Sequence, residues 1–311
     1  MSTPASSAQQ FRTFLKCPLD LAAAGLRRPA VLLENAVICH RAAPVQSTHA
    51  AGIGCSRIDE ARVAIASGKG GVGKSTTTAN VAVALAKDPQ LKIGILDADV
   101  FGPSQPRLFG LKGRPEASEA QKMIPLRNHS VQVMSMGFLL EEDAPAVWRG
   151  PMVMSAIDTL LQKVEWGALD LLLVDMPPGT GDVQISISQR MSLAGAVIVS
   201  TPQDLALIDA RKGMAMFQKA GVSVLGMVEN MSHYACPSCG HRDDIFGSQG
   251  AVAAAADYGI QVLGEVPLNT VIRQTSDDGM PVVLSDPSTP SAEAYMNIAA
   301  RLKDMLSIDS I

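Results

Sequence analysis

Nine consecutive residues, Gly68-Lys69-Gly70-Gly71-Val72-Gly73-Lys74-Ser75-Thr76, constrain this chain more than any other feature. They satisfy the G-x-x-x-x-G-K-[ST] pattern of a phosphate-binding loop, and they stand between a candidate strand, Val63 to Ala66, and a candidate helix, Lys74 to Lys87. Glycines let backbone N–H groups converge on phosphate oxygens without Cβ interference, while the following helix turns its positive end toward the same anion. Lys74 offers a cation to the outer phosphates of ATP, and Ser75 places a hydroxyl on Mg2+.

Short apolar runs alternate with longer amphipathic stretches from about Ile58 onward, the pattern of an α/β fold with a mostly parallel central sheet and helices on both faces. The other expected strands are Ile93 to Leu96, Val131 to Ser135, Leu169 to Val174, Ala196 to Ser200, Val222 to Val228 and Val262 to Val266. The other expected helices are Met152 to Val164, Asp204 to Ala220, Gly247 to Tyr258 and Ala292 to Leu306. Gly102 to Pro125, rich in Gly, Pro and charge, reads as a long loop with little regular structure. One P-loop domain over 58–311 is the simplest partition.

Two strands end in acids. Ile95-Leu96-Asp97-Ala98-Asp99 and Leu171-Leu172-Leu173-Val174-Asp175 both bring carboxylates to the C-terminal edge of the sheet, where an open α/β fold places its ligand crevice. An acid at a strand end is commonly a turn or cap residue, but an upstream phosphate loop turns these into candidates for metal and water positioning. Pro177-Pro178-Gly179-Thr180-Gly181-Asp182 follows the second run, and Gly179 can offer a backbone N–H to a γ-phosphate.

Five cysteines, Cys17, Cys39, Cys55, Cys236 and Cys239, form an odd, uneven set that makes a poor disulfide framework. Cys236-Pro237-Ser238-Cys239-Gly240 spaces two thiolates to converge on one metal centre, yet two ligands are too few. Four thiolates complete a 4Fe-4S cluster or a tetrahedral zinc site, and a two-fold dimer supplies them from two loops. A zinc knuckle completed by His233 or His241, a redox pair and an unliggated structural turn are the competing readings of the residues alone.

With SGKGGVGKST stand LDADVFGPS, Val147-Trp148-Arg149-Gly150, VDMPPGTGDVQ, STPQD, and VENMS followed by CPSCG. Together these segments, spread from Val63 to Leu302, resemble the Mrp and NUBPL group of deviant Walker A ATPases, which carry or scaffold iron-sulfur clusters. The resemblance implies that Lys69 is the signature lysine that reaches a partner's phosphates in a nucleotide-sandwich homodimer. It makes Asp97 and Asp99 switch I, near the metal and positioning the attacking water, and Asp175 the Walker B acid. It makes the Gly179 segment switch II and Asn230 a reader of adenine, with Gly264-Glu265-Val266-Pro267 lining the base. It also implies that Cys236 and Cys239 share a 4Fe-4S cluster across the dimer. The cluster of segments is most similar to the mitochondrial NUBPL branch, which implies apo iron-sulfur proteins, complex I subunits among them, as recipients. The four-cysteine N-terminal motif of cytosolic scaffold members is absent from this sequence, and Cys55 has no assignable role.

The extension 1–57 carries six Lys or Arg against two acids and is rich in Ser and Ala, the makeup of an organelle transit peptide or of a disordered extension, and the resemblance to the NUBPL branch implies the mitochondrial matrix as its compartment. A net charge of −4 announces no nucleic-acid surface, and no run reaches the roughly 18 apolar residues of a membrane helix. A rival reading, a spatial-organisation ATPase of the MinD or ParA type on membrane or DNA, needs a basic C-terminal helix. Here Arg301 and Lys303 are balanced by Glu293 and Asp304, and Tyr295, Ile298, Leu302 and Met305 read as a core face.

Overall fold

Runs such as IGILD, LLLVD and GAVIVS have no polar face, and a strand apolar on both sides is stable only beneath helices on both sides of its sheet. The computed structural model, which describes residues 61–139, 150–236, 238–248 and 250–308, is built in this way. In chain order the elements are β1 (Ala61–Ala66), α1 (Lys74–Leu85), β2 (Ile93–Asp97), α2 (Gln105–Leu108), β3 (Leu126–Asn128), β4 (Val131–Ser135), α3 (Gly150–Gln162), β5 (Leu171–Asp175), α4 (Asp182–Arg190) and β6 (Gly195–Ser200). They continue with α5 (Asp204–Lys219), β7 (Val224–Ala235), β8 (Arg242–Asp243), α6 (Gly250–Asp257), β9 (Val262–Leu268), α7 (Thr270–Asp277), α8 (Val282–Ser285) and α9 (Pro290–Leu306). The expected transit segment 1–57, with Cys17, Cys39 and Cys55, lies outside the described residues, as do Trp148 and Arg149.

The sheet runs β3-β4-β2-β5-β1-β6-β7, with β8 and β9 both pairing β7. Every pairing is parallel except β3 with β4 and β7 with β8. β2, β5 and β6 are buried along their whole length. Helices α1, α8 and α9 pack together, and α3, α4, α5 and α6 pack in succession; α6 and α9 both reach β9, one from each group.

All seven expected strands are present, and the register explains the site. Asp97 and Asp175 are paired neighbours across β2 and β5, and Asp175 also faces Ile65 of β1, one turn of chain from the phosphate loop. The carboxylates therefore share one edge with the loop.

The segment 102–125, expected to hold little regular structure, contains one short helix. Ser104 and Gln105 open the short α2, because their backbone N–H groups are received by Asp97 Oδ2 at 3.1 and 3.2 Å. A capping acceptor seven residues upstream is not visible to a local reading of Pro and Gly. Helix α4, which starts at the last residue of the expected switch loop 177–182, and α7 were not anticipated. Strand β7 runs seven residues beyond its expected end at Val228, held by β9 and then by β8. On α9, Tyr295, Ile298 and Leu302 are buried as expected, whereas Met305 is 36% exposed.

Candidate functional site

Helix α1 begins at Lys74 with no side-chain cap, so its first-turn N–H groups are left for an anion. Its N-cap, Gly73, has φ 85°, and a Cβ there would lie 2.1 Å from Asn230 Nδ2. Only glycine fits that position. A cavity of about 320 Å³ over the loop is lined by Lys69, Gly70, Gly71, Lys74, Ser75 and Asp99, among others.

Asp175 is buried and salt-bridged to Lys74 Nζ. It also accepts from Thr78 Oγ1 at 3.3 Å and from Gln105 Nε2 at 2.8 Å. Lys74 Nζ lies 3.2 Å from Ser75 Oγ. Lys74 is thus parked on the Asp175 carboxylate, and it lines the cavity where phosphates would draw it away.

Asp97 is also buried and accepts four donors: Asp99 N–H at 3.2 Å, Ser104 N–H, Gln105 N–H, and Ser135 Oγ at 2.9 Å. Burial first, and the adjacent Asp175 charge second, push its carboxyl up to about 7, against the pull of Lys74 and of these donors. Its described contacts make it the anchor of the segment from Asp99 to Gln105. Asp99, two residues on, is half-buried in the phosphate cavity, and burial raises its pKa above the ordinary carboxylate range. A carboxylate of raised basicity at that place can orient a water and take its proton.

Two expected roles meet a different geometry. Gly179 N–H donates to Ser67 C=O at 3.0 Å, so it reaches a γ-phosphate only if that bond breaks. Asn230 is not at a strand end; it lies within β7, and its Nδ2 donates to Val72 C=O at 2.8 Å, which leaves its oxygen for a base. It lines a second cavity of about 460 Å³ beside the loop, with Met231, Pro267, Ile272 and Tyr295. Of the Gly264-Glu265-Val266-Pro267 segment, Pro267 lines this cavity, whereas Glu265 lies 4.0 Å from Arg242.

Lys69 is exposed at the loop surface. Serine, aspartate and phosphate oxygens are the hard donors Mg2+ selects, and Ser75, Asp97, Asp99 and Asp175 gather them at one edge, so the residues fit that ion. Sequence reasoning missed Gln105, Thr78, Ser135 and Gln184, the last of which bonds the Pro177 carbonyl in the turn after β5. None carries a motif, and each is recruited by packing.

The cysteines sit at the tip of a hairpin. Past the β7–β8 pairs Tyr234↔Asp243 and Ala235↔Arg242, Cys236 N–H bonds His241 C=O at 2.9 Å and Gly240 N–H bonds Cys236 C=O at 2.8 Å. Gly240 closes the turn at φ 71°. Backbone N–H groups of Ser238 and Cys239, aimed at the Cys236 sulfur, hold its thiol below the ordinary range and favour the ligating thiolate. Both cysteines are free. Neither His233, whose Nδ1 lies 2.9 Å from Ser232 Oγ, nor exposed His241 joins them: among the described residues no three His, Cys, Asp or Glu side chains come together.

A mostly parallel sheet with this loop at the end of β1 and acids at the ends of β2 and β5 defines a P-loop NTPase of the MinD and ParA class. Residues 59–303 match the family described as "ParA: NUBPL iron-transfer P-loop NTPase", and the chain belongs to that family of iron-sulfur cluster carrier and transfer proteins. It is 56% identical over 237 residues to the Arabidopsis thaliana "Iron-sulfur protein required for NADH dehydrogenase, mitochondrial", 76% of each chain being covered. It is 56% identical over 241 residues to the Mus musculus "Iron-sulfur cluster transfer protein NUBPL", covering 77% of this chain and 76% of that one. Among solved structures, a nucleotide-binding protein from Archaeoglobus fulgidus in complex with ADP superposes with TM-score 0.65 at 40% identity, covering 76% of this chain and 91% of that one. The MinD cell-division ATPase of Pyrococcus furiosus gives 0.58 at 25% identity, over 79% and 99%. No helix among the described residues is long and apolar enough to cross a membrane.

Proposed function

We propose that two copies of this chain bind ATP between them and hold one 4Fe-4S cluster as cargo between their Cys236–Cys239 hairpins, releasing it to apo iron-sulfur proteins. The mitochondrial relatives favour the matrix as compartment, the extension 1–57 as its transit segment and complex I subunits as recipients. The observation that carries the reading is the hairpin itself: two free cysteines, one with an acidified thiol, and no third ligand beside them among the described residues. Half a ligand set on a surface loop is completed by a second copy.

The nucleotide end supports the same assembly. Exposed Lys69 adds a second cation to the partner's phosphates, so ATP rewards association while it is bound. Leu205 and Ile208 stand 68% and 47% exposed on α5, whose backbone packs against Gly68. In hydrolysis, Asp99 orients a water and accepts its proton as the water oxygen bonds to the γ-phosphorus and the bond to the β–γ bridging oxygen breaks. Lys74 leaves Asp175 to meet the charge developing on the phosphates. Mg2+, when bound, supplies further charge neutralisation there. Loss of the γ-phosphate lets Gly179 return to Ser67 C=O, relaxing switch II and opening the dimer.

Anaerobic reconstitution followed by iron, sulfide and mass analysis tests this. The expected result is about four irons and four sulfides per dimer, with ATP raising the dimeric fraction. A colourless protein holding one zinc per chain, or a monomer under every nucleotide condition, overturns it.

A further inference from the structure

Gln105 is wholly buried, yet it belongs to the short helix at the end of switch I and touches three functional segments at once. Its backbone N–H bonds Asp97 Oδ2 on β2 at 3.2 Å. Its side-chain Nε2 lies 3.1 Å from the carbonyl of Ser75 in the phosphate loop and 2.8 Å from Asp175 Oδ2 on β5. Both neighbours of that nitrogen accept hydrogen bonds, a backbone carbonyl and a carboxylate already salt-bridged to Lys74, so the amide orientation is set by chemistry. The amide oxygen is then left buried without a donor.

A buried acceptor without a partner is disfavoured, and natural proteins keep such atoms where a ligand or water completes them. Here the atom sits on an amide clamped between Ser75 and Asp175, the two residues that flank the metal position in the nucleotide reading. Around a bound Mg2+ the donors available to it are the metal's own waters, since that ion keeps several of them.

We propose that Gln105 is a positioning residue of the metal–nucleotide site, its Nε2 orienting Ser75 and Asp175 and its Oε1 accepting a hydrogen bond from a Mg2+-bound water. This rests on the reading of the loop as a Mg–nucleotide site. Switch I is thereby read out from the metal: Gln105 carries Asp97 and the start of α2 on its backbone, and the metal environment on its side chain.

The full chain with Gln105→Leu and with Gln105→Glu separates this role from simple packing. ADP is titrated calorimetrically without divalent metal and then with Mg2+, and Mn2+ release from the ADP complex is followed by electron paramagnetic resonance. Outer-shell partners typically govern 10- to 100-fold in metal affinity, so Gln105→Leu should weaken Mg2+ and Mn2+ by about 10-fold or more while metal-free ADP affinity stays within about two-fold. Gln105→Glu keeps an acceptor oxygen but loses the Nε2–H donor to Ser75 C=O and Asp175, so it too should weaken Mg2+ and Mn2+, with metal-free ADP affinity again within about two-fold. Unchanged metal affinity in Gln105→Leu would show that the oxygen faces an ordinary internal water, and equal losses of metal-free and metal-bound ADP in both variants would show a packing role; either overturns the proposal. Failure of the unaltered chain to bind ADP more tightly with Mg2+ overturns instead the nucleotide reading on which it rests.

Discussion

The middle of β7 and the hairpin tip just beyond its C-terminal end differ in how complete they are. Beside Asn230 the phosphate loop and its carboxylate are bonded within one chain: Lys74, Asp175, Thr78 and Gln105 form a buried, mutually bonded set, with Asp97 holding the start of α2 behind them. Past the end of that strand, Cys236 and Cys239 stand at the tip of a hairpin with two thiols and no third ligand among the described residues. A site that orders charge in a dry interior must be built by the fold, because unpaired buried charge is strongly disfavoured. A site that must give up its cargo is better kept at the surface and left half-made, since assembly and release then follow the meeting of two molecules.

If that contrast is right, damage at one site should not reach the other. Cys239→Ser has the largest expected effect: reconstituted iron should fall from about four per dimer to near none, with ADP affinity in calorimetry unchanged. Loss of nucleotide binding in that variant would join the two sites and break the comparison. Lys74→Ala comes next. It leaves Asp175 buried without its cation, so chemical denaturation should show a loss of about 3 kcal/mol, alongside at least a roughly 100-fold weaker nucleotide affinity.

The pH dependence of stability sharpens the description of the buried site. Asp97 has a carboxyl raised from 3.8 to about 7, so the folded state holds its proton more tightly than the unfolded chain does. Its contribution is fully present below pH 3.8 and is lost as pH rises through about 7. Denaturant midpoints for the unaltered chain and Asp97→Asn should therefore diverge with pH. Across that window the unaltered chain should lose stability relative to the variant by up to about 1 kcal/mol per pH unit. Parallel curves would mean that the four donors keep Asp97 ionised throughout. The smallest effect on folding belongs to Lys69→Ala, exposed and outside the buried set. Unfolding should change by less than about 0.5 kcal/mol, while light scattering no longer finds an ATP-dependent dimer.

Much of this was written locally in the chain. The glycine loop, the strand-end acids and the Cys-x-x-Cys turn each depend on residues adjacent in sequence, and apolar runs long enough for strands but too short for helices located every strand of the parallel core. What the sequence alone determined is thus the class of fold, the phosphate loop and the inventory of candidate ligands. The tertiary structure decided how these are wired. It formed α2 in a segment rich in Gly and Pro, because Asp97 at the end of β2 supplies its cap; it carried β7 past Val228 to the cysteine hairpin, because β9 and β8 pair with it there. It turned Asn230 onto the phosphate loop and drew Gln105 between Ser75 and Asp175. Hydrogen-bond satisfaction in a buried site joins residues up to about a hundred and sixty positions apart, and no local pattern of residue types encodes such a pairing.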